Sequence, residues 1–345
     1  MANILTNRID LQILIENYTK ENKSFRILSS YQLKGNTNAF AYNFILNGKQ
    51  CRIDIYYKEK ETKLIPIGKN IDQANILIEY IKQHALNPNI ETKQIVFPSS
   101  DNLCNSIKEY LLLNYPQSVR VEIVNNKYTF IGYNQDRVYV HQYKDKIMLQ
   151  GKPLCVFSLI INYIAENTDI DLETFTNLMC TNLEVNVPFR LMRKRMEILL
   201  SNAYLYIDEA IRKTLSSSIV MMEKHKNDFI EDYSGCLTGA FKTLEGYLKK
   251  VLKQKYHHNF NRTSSFELFD TNNWCLKPGY IECNENEEKQ LCELYKLFYN
   301  KRNVYLHSKI NPASTSIISS YMDAESIFNE IVDTIKKSYD VFFGD

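Results

Sequence analysis

A chain of 345 residues with 44% hydrophobic content is long enough for two or three domains, each with a buried core, and this excludes wholesale disorder. Lys and Arg number 42 against 40 Asp and Glu, a net charge of +2. No global positive excess therefore marks a nucleic-acid coat or membrane-surface protein, and an anionic ligand must be held by a local patch. Only 10 glycines and 8 prolines argue against a Gly-rich phosphate-binding enzyme and against an all-β protein full of tight turns.

The first residues, Met1-Ala2-Asn3-Ile4-Leu5-Thr6-Asn7-Arg8-Ile9-Asp10, meet charge too early for the apolar core of a signal peptide. The most apolar stretch, Leu154 to Ala165, is interrupted by Ser158 and Asn162 and falls far short of the roughly 20 residues that a membrane span needs. A soluble, cytoplasmic chain is expected. Cys51, Cys104, Cys155, Cys180, Cys236, Cys275, Cys283 and Cys292 form no C-x-x-C pair and no paired Cys/His spacing, so they read as reduced thiols. Neither a metal nor another cofactor is expected.

The sequence matches itself at an offset of 83 residues. Lys63-Leu64-Ile65-Pro66-Ile67-Gly68-Lys69 lies over Lys146-Ile147-Met148-Leu149-Gln150-Gly151-Lys152, and Leu77-Ile78-Glu79-Tyr80-Ile81 lies over Ile160-Ile161-Asn162-Tyr163-Ile164 without a gap. Upstream, Ile55 and Tyr57 fall on Val138 and Val140. Alternating apolar residues, a Gly-Lys turn and an amphipathic period predict a hairpin and helix in each copy. This pattern places an α+β unit at 1–88, with Asn87-Pro88-Asn89 as its exit turn, and a repeated unit at 89–187. Neither carries a His/Asp/Glu cluster, a Gly-rich loop or an obvious nucleophile, as suits a scaffold or partner-binding platform.

After Asn186-Val187-Pro188 the period becomes 3.6, and residues 188–345 read as a helical bundle. One helix is predicted from Ala203 to about Phe229. Another, from Gly235 to Lys255, has Leu237, Phe241, Leu244, Leu248 and Val251 on one face. A polar loop, Tyr256 to Glu285, precedes a helix with Leu291, Leu294 and Phe298 inward and Lys309-Ile310-Asn311-Pro312 as its stop. The last helix starts near Ser316 on the stripe Tyr321, Ala324, Phe328, Ile331, Ile335 and Phe342.

The Leu291-Leu294-Phe298 stripe continues by spacing onto Lys301/Arg302 and Tyr305, so Arg302 faces its own bundle or a partner subunit and needs an anion. His307 follows five residues on, about 140° away around an ideal helix. A long arginine, or a helix ending between the two, lets both reach one phosphate. Metal-independent RNA cleavage needs such a pair: a proton carrier with a pKa near neutrality and a fixed cation on the non-bridging oxygens. Arg-x4-His also arises by chance in many proteins. Glu245, at the edge of the earlier stripe, either orients Arg302, takes a proton from the nucleophile, or simply pairs with Lys249 at i,i+4.

At these residues the sequence resembles a known family. Lys-Thr-Leu-Glu-Gly-Tyr-Leu-Lys (Lys242 to Lys249), Arg302-x4-His307 and a C-terminal helical domain look like the HEPN ribonucleases, specifically the RnlA/LsoA toxins called ribonuclease LS. Leu149-Gln150-Gly151-Lys152-Pro153-Leu154 is similar to the family's strand-turn segment, and the likeness covers most of the chain but is faint over residues 1 to 90. The resemblance implies an α+β fold of two duplicated TATA-binding-protein-like units followed by an all-α HEPN bundle. It also implies mRNA degradation, a cognate antitoxin, a role in phage defence and a phage-encoded inhibitor as a further partner. By position, Arg302 and His307 match the family's catalytic pair and Glu245 its helical glutamate. Asp232 matches an acidic position nearer a subunit contact, and a helical turn of about 220° separates it from Glu245. Asn303 follows the arginine as in many HEPN motifs. Such sites form between two copies, so a homodimer is implied, with Lys242, Lys249, Lys250 and Lys301 lining the cleft toward RNA.

The first expectation is therefore a metal-independent endoribonuclease toxin of a toxin-antitoxin system. The alternative is a non-catalytic HEPN interaction protein that dimerises and binds RNA or a partner. A metal-dependent nuclease ranks third, because no D-x-D, H-x-H or E-x-K arrangement sits on a credible element to hold a divalent cation.

Overall fold

The computed structural model of the chain describes residues 2–4, 8–34, 39–57, 62–84, 90–99, 102–125, 127–132, 136–228, 230, 232–259, 266–306 and 316–344. It divides into two compact units, one of residues 1–89 and one of most of residues 90–345. Together they make an α+β protein with sheets toward the N-terminus and helices toward the C-terminus.

In the first unit β1 (Ala2–Ile4) and α1 (Arg8–Glu21) precede a meander of β2 (Phe25–Gln32), β3 (Ala39–Leu46), β4 (Lys49–Tyr57) and β5 (Thr62–Ile67), closed by α2 (Ile71–His84). The antiparallel sheet runs in the order β1-β5-β4-β3-β2. Asn47 and Gly48 take φ of 52° and 76° between β3 and β4, as a two-residue hairpin that matches strand twist requires. Alternation sends Cys51, Ile53 and Ile55 of β4 to one face, where they meet Ala74, Leu77, Ile78 and Ile81, the three-and-four-spaced face of α2.

The second unit opens with the same sequence of elements: β6 (Lys93–Pro98), α3 (Leu103–Asn114), β7 (Val119–Val124), β8 (Lys127–Gly132), β9 (Arg137–Gln142), β10 (Lys146–Gly151) and α4 (Cys155–Asn167). Its sheet order, β6-β10-β9-β8-β7, is that of the first sheet. The 83-residue offset lays α2 directly over α4. In the preceding strand the register differs, since Leu64 pairs with Ile55 whereas its counterpart Ile147 pairs with Gln142. By position in the sheet, Cys51 and Ile53 therefore correspond to Val138 and Val140, in place of the ungapped match of Ile55 and Tyr57. The first hairpin is longer, since β4 and β5 continue their pairing beyond Ile55 and Leu64 to Tyr57 and Thr62.

Beyond α4 come α5 (Leu172–Leu183), α6 (Phe189–Leu200), α7 (Ala203–Tyr206), α8 (Glu209–His225) and α9 (Ser234–Lys255). A two-stranded ribbon of β11 (Phe269–Asp270) and β12 (Cys275–Leu276) leads to α10 (Glu285–Leu297). A π-helical turn (Phe298–Arg302), the short α11 (Asn303–Tyr305) and α12 (Tyr321–Phe343) complete the chain. The expected helix from Ala203 to Phe229 is two helices, broken where Asp208 adopts extended backbone and starts α8. The last helix begins at Tyr321, because Ser320 is its cap and accepts from the Asp323 amide.

Helix α4 is apolar nearly all round, as befits a central element, and packs on β8 and β9 as well as on α8 and α9. The second sheet and the helices thus share one core. Helices α8 and α9 approach closely at Gly239 of α9, where a Cβ would stand 2.1 Å from the Thr214 carbonyl of α8. Asn162, Ser217 and Thr238 satisfy one another beside it, with Asn162 donating to Thr238 at 2.8 Å and Ser217 to Asn162 at 2.6 Å. All eight cysteines are free thiols. Among the described residues no helix is long and apolar enough to cross a membrane.

Candidate functional site

Helix α9 buries Leu237, Phe241, Leu244, Leu248 and Val251. At the edge of this stripe, spaced three and four apart, come Lys242, Glu245 and Lys249. They are covered from the other side by the ends of α3 and α4 and by the π-helical turn. The Lys242 ammonium lies 3.2 Å from Glu166 of α4 and 3.7 Å from Glu245, and 5.0 Å from the centre of the Tyr110 ring on α3. Lys249 donates to the Glu245 Oε1 at 2.6 Å. Among the described residues the second carboxylate oxygen, Oε2, is buried and has no hydrogen-bond partner.

Burial alone would raise the pKa of Glu245, yet Lys242, Lys249 and Arg302 together bring it down to about 2. It is ionised at any physiological pH and is a feeble base. Burial likewise works against the Lys242 ammonium, but Glu245, Tyr110 and Glu166 outweigh it and hold the group charged well above its ordinary value. Glu166 moves the other way: burial pushes its carboxyl up, against the pull of Lys242.

Arg302 closes the π-helical turn. The wider turn adds a residue to the helical repeat and redirects the last side chains of α10, a distortion that recurs at functional sites. The guanidinium lies over the rings of Phe298 and Tyr115, 5.3 Å and 5.6 Å from their centres, and faces the Tyr115 hydroxyl at 3.5 Å. Burial opposes its charge, while Tyr115 and Glu245 favour it and raise its pKa further. The turn after α3 that supplies Tyr115 also grips the chain beyond: Ser118 donates to the Leu306 carbonyl at 3.2 Å, and the Leu306 amide donates to the Arg302 carbonyl at 2.9 Å. Leu306 is buried. His307 lies outside the described residues.

The structure thus brings Arg302 and Glu245 into one cluster with Lys242 and Lys249, and leaves the other candidates elsewhere. Asp232 is buried, where its Oδ1 accepts from the Ser234 and Ile318 amides at 2.9 and 3.1 Å and its Oδ2 from the Ser234 hydroxyl at 2.7 Å. It ties the start of α9 to the segment before α12. Asn303 opens α11, half-buried. Lys250 pairs with Asp208 and lies over the Tyr206 ring, and Lys301 reaches Glu330 of α12 at 3.6 Å. Lys242, read as a phosphate contact, is enclosed between two carboxylates and is only 13% exposed, so it does not present a free charge to solvent.

Tyr110, Tyr115 and Glu166 were not legible as site residues. They come from α3, the turn after it and α4, far from Arg302 in sequence, and no spacing rule joins them. The one available signal was the demand of an inward-facing arginine and lysine for anionic and aromatic neighbours.

The model for the family described as RNase LS, bacterial toxin, matches residues 68–169, and that for the RNase LS bacterial toxin DBD domain matches residues 190–309. The two matches together span well over half of the chain. Among solved structures, the crystal structure of Escherichia coli toxin LsoA in complex with T4 phage antitoxin Dmd aligns at 20% identity over 73% of this chain and 99% of that chain, with a TM-score of 0.41. That likeness is too low to carry an argument. No curated protein matches the chain.

Proposed function

Because the chain belongs to the RNase LS family of bacterial toxins, we propose that it is the toxin of a toxin-antitoxin system, a cytoplasmic endoribonuclease that cleaves mRNA without a metal ion at an Arg302/His307 site of HEPN type. The two α+β units derive from a duplication and carry the TATA-binding-protein-like fold, a reading supported by their common element order and strand order. The helices that follow are the HEPN part, and two copies of the chain meet there. The cognate antitoxin, and a phage-encoded inhibitor, are the partners that silence it in phage defence.

In this reading the ribose 2′-oxygen attacks the adjacent phosphorus, the bond from phosphorus to the 5′-oxygen breaks, and the products end in a 2′,3′-cyclic phosphate and a 5′-hydroxyl. His307 carries the proton from the nucleophile to the leaving oxygen. Arg302 stabilises the charge on the non-bridging oxygens, a contribution of about 3 kcal/mol for a well-placed donor in a water-poor site. Glu245 serves as the orienting group, since a carboxylate with a pKa of about 2 is poorly suited to take a proton. The observation that carries the proposal is a half-buried guanidinium packed on Tyr115 and Phe298 beside an ionised carboxylate, with the residue before His307 anchored by the same turn. A guanidinium that served stability alone would need no neighbouring excess of positive charge. Here three cations, Lys242, Lys249 and Arg302, face two carboxylates, Glu166 and Glu245, which leaves the cluster receptive to an anion.

The test is expression of the protein alone in bacteria. Growth stops with the wild type and continues with Arg302→Ala or His307→Ala at equal abundance. Equal toxicity of all three would reject the assignment and favour an interaction protein.

A further inference from the structure

The π-helical turn carries a second functional candidate. Three residues before Arg302 it presents Tyr299, whose ring meets that of Trp274 edge to face, 5.7 Å between centres. Behind them Phe269 stacks on Tyr295 at 4.1 Å, and Tyr295 is 6.4 Å from Phe298, the ring over which Arg302 lies. The buried rings form a rigid backing, while Tyr299 is 38% exposed and Trp274 is half-buried. Trp274 takes a φ of 53°, a left-handed conformation that a bulky residue adopts only when its surroundings impose it. The constraint is visible: its amide donates to the Asp270 carbonyl at 2.9 Å, and Asn272 and Asn273 donate to the Asp270 carboxylate. The turn therefore holds the chain's single tryptophan in the lining of an open surface depression of about 390 Å³. Lys296 stands 5.7 Å from its ring centre and Lys289 lines the depression beside it, while Glu285, Glu288 and Glu293 supply three carboxylates to the same lining.

Resting on the ribonuclease reading of the neighbouring site, we propose that Trp274 and Tyr299 with this depression form a stacking subsite for an unpaired RNA base close to the scissile phosphate. An aromatic face stacks any base, the two lysines suit a phosphate beside it, and the glutamates suit the exocyclic amino or ring N–H donors of adenine, cytosine or guanine. A duplex keeps its bases paired and cannot use the subsite, so the substrate class is single-stranded RNA. Arg302 and Tyr299 belong to one five-residue turn, so a strand that presents its phosphate to one passes the other.

Trp274 is its own reporter. Titration with a single-stranded DNA oligonucleotide, which lacks the 2′-hydroxyl and cannot be cleaved, is expected to quench the tryptophan emission saturably and more strongly at low salt. A duplex of the same sequence, or a strand of abasic sugars, is expected to leave it unchanged. Tyr299→Leu keeps apolar volume but removes the ring, and should weaken binding about 5- to 150-fold with an unaltered thermal transition. In cleavage assays the same variant should raise KM for single-stranded RNA and leave kcat within about twofold. Absence of quenching by any single strand at low salt, equal quenching by the abasic strand, or an unchanged affinity and KM in Tyr299→Leu would overturn the subsite. Quenching by a chain that cleaves no RNA would sink the ribonuclease reading and leave the subsite standing.

Discussion

Replacing Glu245 by Gln keeps the shape of the side chain and removes one charge from between Lys242, Lys249 and Arg302. The carboxyl is depressed from an ordinary 4.5 to about 2, and each unit is worth about 1.4 kcal/mol, so the ionised form contributes about 3 kcal/mol to the folded state. The sign follows from linkage. A carboxyl with a lowered folded pKa stabilises above its unfolded pKa, and this contribution is lost as the pH falls through the folded value. Glu245→Gln should therefore unfold about 3 kcal/mol more easily at neutral pH. The gap should narrow by about 1 kcal/mol near pH 4 and about 2 kcal/mol near pH 3. Urea titration followed by Trp274, which reports the second unit, measures both. A gap that is absent at neutral pH, or that does not change with pH, would refute the claim that the three cations hold this carboxylate.

Other outcomes follow from single contacts. Arg302→Lys keeps the charge but loses the planar fork that spans two phosphate oxygens and stacks on Tyr115 and Phe298; cleavage should drop about 100-fold while the protein stays folded, and a variant as active as the wild type would contradict the role. Asp136, buried where it accepts from the Val156 amide at the start of α4, has its carboxyl raised from 3.8 to about 6 by burial. Its contribution is present below the unfolded pKa and lost as the pH rises through the folded one, so Asp136→Asn should gain about 2 kcal/mol on the wild type between about pH 4 and pH 7. A pH-independent difference in urea titrations would exclude this.

What the sequence disclosed was local. The stripe Leu237-Phe241-Leu244-Leu248-Val251 set α9 to within a residue of Ser234–Lys255, and the 83-residue offset matched α2 with α4, because both signals are periodic along one element. Breaks depended on backbone detail that the period does not carry. Ile207 fits a helical stripe and is buried, yet Asp208 beside it is extended and starts a new helix. The site shows the same division. The inward placement of Arg302 could be inferred from its place after Leu291-Leu294-Phe298, and the pairing of Glu245 with Lys249 from their spacing of four. The π-helical turn could not, since a wider turn leaves no mark in composition. Nor could Tyr115 and Glu166 be found, because partners that meet through tertiary packing share no period. Tyr299 was lost among 24 tyrosines spread through the chain, and only the ribbon before α10 brings the single tryptophan, Trp274, to its ring.

The central claim is that Arg302 and His307 act together on one phosphodiester, and the chemistry of the RNA ends tests it most directly. Purified protein incubated with end-labelled single-stranded RNA in EDTA should yield 2′,3′-cyclic phosphate or 3′-phosphate ends with 5′-hydroxyls, and none with His307→Ala or Arg302→Ala. Cleavage that stops on chelation, 5′-phosphate ends, or undiminished cleavage by either variant would contradict it.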